Sequence, residues 1–212
     1  MDNIFDEKRA ERASTLVFSS FGFRSPIVRS KLNGVLDFCE KSVLIVPFAA
    51  FSIDFCIAHE KNGLVRFGFD EDNIFCCEGP SSFDREYDYI YVPGGDTFKL
   101  LKTLQDMNLL CHIRRAVDNG SIYIGVSAGA ELATCNLEYV KNLEDDNFSI
   151  QDFGGLSLVD EMIIPHSDQR YIFDKIHCMM TSDKGDRRLM EIPNDGVVIF
   201  SVEKGRREIK II

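Results

Sequence analysis

The chain has 212 residues, 45% hydrophobic and 27% charged, which suits one α/β domain with a full core and argues against a second domain. Its formal net charge of -10 argues against nucleic acid or an anionic membrane as partner, since both require a concentrated basic face. The first fifteen residues are charged where a secretory signal would carry its apolar core, and no later apolar run reaches the length of a membrane span, so a cytoplasmic protein is expected.

Seven cysteines (Cys39, Cys56, Cys76, Cys77, Cys111, Cys135 and Cys178) are odd in number, scattered and without C-x-x-C or Cys/His ligand spacing. Reduced thiols packed as small apolar residues are expected. Cys111-His112 resembles a nucleophile and base, but neighbours on a helix point about 100° apart and do not face each other.

Residues 1–13 read as a polar arm or short helix, and 14–20 as the first strand. A helical pattern follows, with Val28, Leu32, Val35, Leu36 and Cys39 on one face. Residues 42–47 form an apolar run without alternation, as in a strand covered on both faces of a parallel sheet. Residues 48–69 read as a loop and a helix with Phe51, Phe55, Ala58 and Asn62 along one side, and His59 as a packing or surface histidine. Short strands are expected at 73–77 and 87–92. The second ends in Pro93-Gly94-Gly95-Asp96-Thr97, ahead of a helix over 97–117 with a break near Asn108. Two glycines between a buried strand and a helix capped by Asp96 or Thr97 leave amides exposed at the carboxyl edge of the sheet, where a doubly wound fold holds its site.

Residues 121–130 read SIYIGVSAGA, a strand running into Gly125-Val126-Ser127-Ala128-Gly129 and then a helix-compatible stretch. Strand, sharp turn and helix is the setting that makes G-x-S-x-G credible as a nucleophile elbow with Ser127 at its tip. Gly125 and Gly129 supply positions where a strained reversal leaves no room for β-carbons. The turn aims the amide of Ala128 at an oxyanion formed by attack of Ser127, and Gly94 and Gly95 are the candidates for the second donor.

Residues 138–151 are polar and acidic and read as loop, with Asp145 and Asp146 solvated or reaching the site. After a Gly-Gly turn at 153–156, residues 157–165 read as a strand, and His166 stands at its end, where an imidazole can point across the sheet edge as a general base. A helix over 171–180 contains His177. Residues 196–202 and 208–212 form a terminal hairpin, entered through the turn composition Pro193-Asn194-Asp195-Gly196.

The ordered set IVPFAA at 45–50, VPGGDTFKLL at 92–101, YIGVSAGA at 123–130 and IIPHSD at 163–168 resembles the dipeptidase E-like serine peptidases, relatives of the cyanophycinases. The resemblance spans most of the chain in order, and the paired motifs are more specific than either alone. It implies an α/β fold of class I glutamine amidotransferase-like type: a three-layer sandwich with a mostly parallel central sheet and a C-terminal β-hairpin, and a serine where amidotransferases keep a cysteine. It implies Ser127 as nucleophile, His166 as general base, and the amides of Gly94, Gly95 and Ala128 as oxyanion hole. Asp195, before a glycine in the late turn, matches the third triad member, and Asp145 or Asp146 corresponds loosely to an aspartate implicated after the nucleophile helix. The segment between His166 and Tyr171 is short compared with the dipeptidase that cleaves after N-terminal aspartate, and Arg170 is the residue there that could supply positive charge to a substrate side chain.

The expected chemistry is acyl transfer from a small peptide to water, with no metal or organic cofactor, by a monomer or homodimer. An α/β-hydrolase esterase would order its triad serine, acid, histidine, which here requires His177 inside a helix. A non-catalytic binding or regulatory domain of the same fold is the alternative from another class.

Overall fold

The computed structural model describes residues 14–172, 174–175, 188–203 and 206–212. The expectations for the N-terminal arm, for Cys178, for His177 and for most of the helix over 171–180 lie outside those residues.

Nine strands are described. β1 (Ser14–Ser19), β2 (Val43–Ile45), β3 (Ile74–Cys76), β4 (Tyr89–Val92), β5 (Ile122–Val126), β8 (Val197–Glu203) and β9 (Arg206–Ile211) form one sheet in the order β3-β2-β4-β5-β1-β8-β9. The first five run parallel, β8 is antiparallel to β1, and β9 closes the hairpin on β8. β6 (Met162–Pro165) and β7 (Leu189–Ile192) pair in parallel as a separate two-stranded sheet.

Alternate residues of the parallel strands enter two cores, one on each face. Leu16, Phe18, Leu44, Ile90, Val92 and Tyr123 pack with Phe98, Leu101 and Leu104 of α3 (Thr97–Asp106) and with Ile113 and Val117 of α4 (Leu110–Asp118). Val17, Val43, Ile45, Tyr91 and Ile124 pack with Val28 and Leu32 of α1 (Pro26–Leu32) and with Leu64 of α2 (Ile53–Phe67). Strands covered on both faces must be apolar on both, which is why 42–47 and 87–92 lack alternation.

The break expected near Asn108 separates α3 from α4, with Asn108 at φ 55°. The helix expected to carry Val35 and Cys39 ends earlier, at Leu32. Asn33 turns extended at ψ 124°, Gly34 takes φ 81°, and Val35 and Cys39 are exposed. On α2 the expected side is the wrong one: Phe51 ahead of it and Phe55 on it are 80% and 72% exposed, while Cys56, Glu60 and Leu64 are buried. That stripe was masked by its central carboxylate, which is accepted in the interior because the Tyr91 hydroxyl donates to it at 2.6 Å. The strand expected over 157–165 begins at Met162, and β7 was not anticipated. No helix among the described residues is long and apolar enough to cross a membrane.

Phe18 sits at the centre of the sheet, edge-on to Tyr123 at 6.2 Å and to Phe200 at 5.3 Å. Phe18→Ala is expected to cost about 3–5 kcal/mol, read as a lowered urea midpoint with unchanged slope.

Candidate active site

Ser127 ends β5 and opens the single helical turn α5 (Ala128–Glu131). Its backbone stands at φ 50°, ψ -113°, a conformation costing about 1–3 kcal/mol in a residue with a β-carbon. The surroundings hold it there. Its amide donates to Ser19 O at 2.9 Å, its carbonyl accepts from Ala130 and Glu131, and the Tyr123 hydroxyl donates to Gly129 O at 2.6 Å. A β-carbon at Gly129 would lie 2.1 Å from Val92 O, and one at Gly94 would lie 3.0 Å from the Ser127 β-carbon, so both loops approach as closely as glycine permits.

The Ser127 hydroxyl is 3.1 Å from His166 Nε2. His166 leaves β6 at φ 58°, its amide donating to Ser20 Oγ at 2.9 Å while that hydroxyl donates to Ile192 O at 2.9 Å. Phe21 packs against the imidazole edge-on at 5.1 Å. Nδ1 lies 2.8 Å from Asn194 Oδ1. An amide oxygen can only accept, so this contact favours the tautomer protonated at Nδ1 and turns the Nε2 lone pair to the serine hydroxyl. Asn194 is itself held by its amide donating to Asp168 Oδ1 at 3.0 Å.

The contact expected of Asp195 is therefore made by its neighbour. Asp195 Oδ1 accepts from Ser25 Oγ at 2.7 Å, and that same Ser25 oxygen caps α1 by accepting from Ile27 N and Val28 N. Side chains at successive turn positions diverge, and only residue 194 faces the imidazole. Asp146 accepts from Phe148 N and Ile150 N, stabilising its own loop, and the Asp145 carbonyl accepts from Asn147. Cys111 and His112 face apart: the thiol donates to Asn108 O, and the ring meets Arg115. Arg170 is exposed just beyond the loop that follows His166.

Asp96 caps α3 as expected, accepting from Lys99 N at 2.8 Å, and its own amide donates to Ala49 O at 3.0 Å. Among the described residues, none offers an acceptor to the amides of Gly94, Gly95 or Ala128. These amides belong to the segments that follow β4 and β5 at the carboxyl edge of the sheet, beside Ser127.

Two carboxyls that belong to no motif of the sequence converge on Thr97. Glu131 Oε2 accepts from Thr97 Oγ1 at 2.5 Å, and Glu144 Oε1 accepts from Thr97 N at 3.0 Å. Complete burial pushes Glu131 up to about 8, with the Glu144 charge adding to the rise and the Thr97 hydrogen bond opposing it. Burial also raises Glu144. The readable signal was an acid within the small, apolar run Ala130–Ala133, where a solvated face was not available.

Residues 21–208 match the sequence profile of peptidase family S51. An uncharacterized peptidase of Pasteurella multocida (strain Pm70) is 32% identical over 59% of the chain and 65% of its own length. A Nostoc protein named peptidase E is 32% identical over 65% of the chain and 57% of its own, and the Drosophila melanogaster "Probable alpha-aspartyl dipeptidase" is 30% identical over 78% and 67%. The chain thus aligns with between 57% and 67% of the length of these relatives. In fold it is similar to a Listeria monocytogenes EGD-e protein provisionally assigned to peptidase E, with TM-score 0.74 at 21% identity over 95% of this chain and 100% of that one. A peptidase from an acI-B1 Actinobacterium superposes with TM-score 0.68 at 16% identity over 94% and 96%. The fold is the class I glutamine amidotransferase-like α/β sandwich, and with the family profile covering most of its length, the chain belongs to peptidase family S51.

Proposed function

We propose that the protein is a serine peptidase acting on short peptides through an acyl-enzyme at Ser127. The observation that carries this reading is the contact of 3.1 Å between Ser127 Oγ and an imidazole whose far nitrogen rests on Asn194. Ser127 Oγ attacks the peptide carbonyl carbon while His166 Nε2 takes the hydroxyl proton. The carbonyl oxygen becomes an oxyanion held by the amides of Ala128 and of Gly95 or Gly94, each such donor contributing about 3–4 kcal/mol where measured in other enzymes. His166 returns the proton to the amine as the C–N bond breaks, and water repeats the sequence to release the acid.

Asn194 differs from a carboxylate in one respect that matters. It holds the ring and its tautomer but brings no charge to stabilise the imidazolium, so orientation is its whole contribution. Exposed Arg170 is the candidate to meet an acidic side chain at the peptide N-terminus, in line with the names of the peptidase E and aspartyl dipeptidase relatives. A cytoplasmic setting belongs to the same reading, on the free thiols of Cys39, Cys56, Cys76, Cys77, Cys111 and Cys135.

A serine-directed phosphonate is expected to label the wild type and not Ser127→Ala, and Ser127→Ala and His166→Ala each to lower kcat at least about 10⁴-fold in a dipeptide-library assay. Folded wild type that neither labels nor cleaves would make this a binding domain. Labelling with hydrolysis of esters alone would make it an esterase.

Asn194→Ala is expected to lower kcat about 10- to 100-fold. Asn194→Asp should keep activity and move the acidic limb of the kcat/KM profile to higher pH, because a carboxylate beside the ring favours its charged form. Asp195→Ala should instead lower the Tm with kcat within a few-fold, having removed only the acceptor for Ser25. Equal losses of kcat at 194 and 195 would return the orienting role to the aspartate.

A further inference from the structure

Glu131 is one turn beyond Ser127, on the segment that carries the candidate oxyanion donor Ala128. Thr97 follows directly on Gly94-Gly95-Asp96, which carries the other candidate donors. The hydrogen bond of 2.5 Å from the Thr97 hydroxyl to Glu131 therefore joins the two donor-bearing segments across the site. We propose that Glu131 is a positioning residue that works in its protonated form, tying the Gly94–Thr97 loop to the nucleophile turn while keeping a negative charge away from the developing oxyanion. This rests on the serine peptidase reading of the site.

Glu131 is 5% exposed. The groups around it make ionisation costly. Glu144 approaches from the loop after the elbow, Asp96 adds its charge next to Glu144, and Tyr139 brings a buried phenol rather than a cation. With Glu131 neutral, Glu144 is the one carboxylate on Thr97 and caps α3 at its amide. With Glu131 charged, two carboxylates meet at Thr97, one on its hydroxyl and one on its amide, in a low-dielectric pocket. The added charge then opposes the oxyanion that the nearby amides are aimed to stabilise. Gln at this position would keep an acceptor oxygen and remain neutral at every pH.

The sign of the pH dependence follows. The carboxyl keeps its proton in the folded protein up to about 8 and loses it near its ordinary value of 4.5 when unfolded. The stability it contributes is whole below 4.5 and declines as pH rises toward 8. Turnover declines above that point.

The test compares wild type, Glu131→Gln, Thr97→Val and Thr97→Ser. Wild-type kcat should fall about tenfold per pH unit well above 8 with KM steady, and Glu131→Gln should lack that fall. Thr97→Val should lower kcat about tenfold with little change in KM, and Thr97→Ser should restore it. Thermal unfolding provides a readout independent of activity: the wild-type Tm should decline between pH 5 and 8 more steeply than that of Glu131→Gln. Superimposable pH–kcat profiles, or equal Tm slopes, would overturn the proposal even if hydrolysis depends on Ser127. Divergent Tm slopes in a protein without Ser127-dependent hydrolysis would retain the protonated Glu131 tie and discard the peptidase reading.

Discussion

The parallel pairing of β6 with β7, in which Pro165 stands opposite Ile192, is the constraint on which the site depends. The residues that follow these two strands are His166 and the Pro193-Asn194 turn, so this register alone brings an imidazole beside an amide oxygen from far along the chain. Ser20 fastens the arrangement to the main sheet, taking the His166 amide and giving its proton to Ile192 O. β8 completes it: being antiparallel to β1, with Val197 opposite Ser19, it begins at the edge where the parallel strands end. A slip of one residue in either ladder would turn Asn194 or His166 to the opposite face.

Ser127 is brought to that same edge by steric exclusion. The strained backbone at φ 50° is tolerated because the chain around it has nowhere else to go. Val92 O occupies the space that a β-carbon at Gly129 would need, and Ala49 O does the same at Gly95, with a β-carbon there falling at 2.4 Å. The close approach of the loops after β2, β4 and β5 puts Gly94, Gly95 and Ala128 on neighbouring segments around the hydroxyl. Preorganisation of this kind is costly in stability and is offset by the two cores that clamp the sheet from both sides.

Charge is handled sparingly in the interior. The imidazole is oriented by a neutral amide, with the carboxylate of Asp168 one hydrogen bond further out, on the Asn194 backbone. On the other side of the nucleophile, burial holds Glu131 in the range where it keeps its proton at neutral pH. Next to Ser127 the described structure thus sets a neutral amide on the imidazole and a fully buried carboxyl one turn along, in a protein whose net charge is -10.

The amino-acid sequence by itself determined the elbow, the strands of the parallel sheet, the break at Asn108 and the histidine after the strand ending at Pro165. Each is written in local terms: glycines flanking a serine, apolar runs without alternation, a helix pattern interrupted at one residue. Local pattern misled where a buried face contained a charge, as with Glu60 on α2, because a satisfied carboxyl looks in sequence like a solvated one. Only the tertiary structure shows Asn194, and not Asp195, in contact with the imidazole. Both belong to one turn of unremarkable composition, and which of two diverging side chains meets the imidazole is set by strand register between segments that share no local signal.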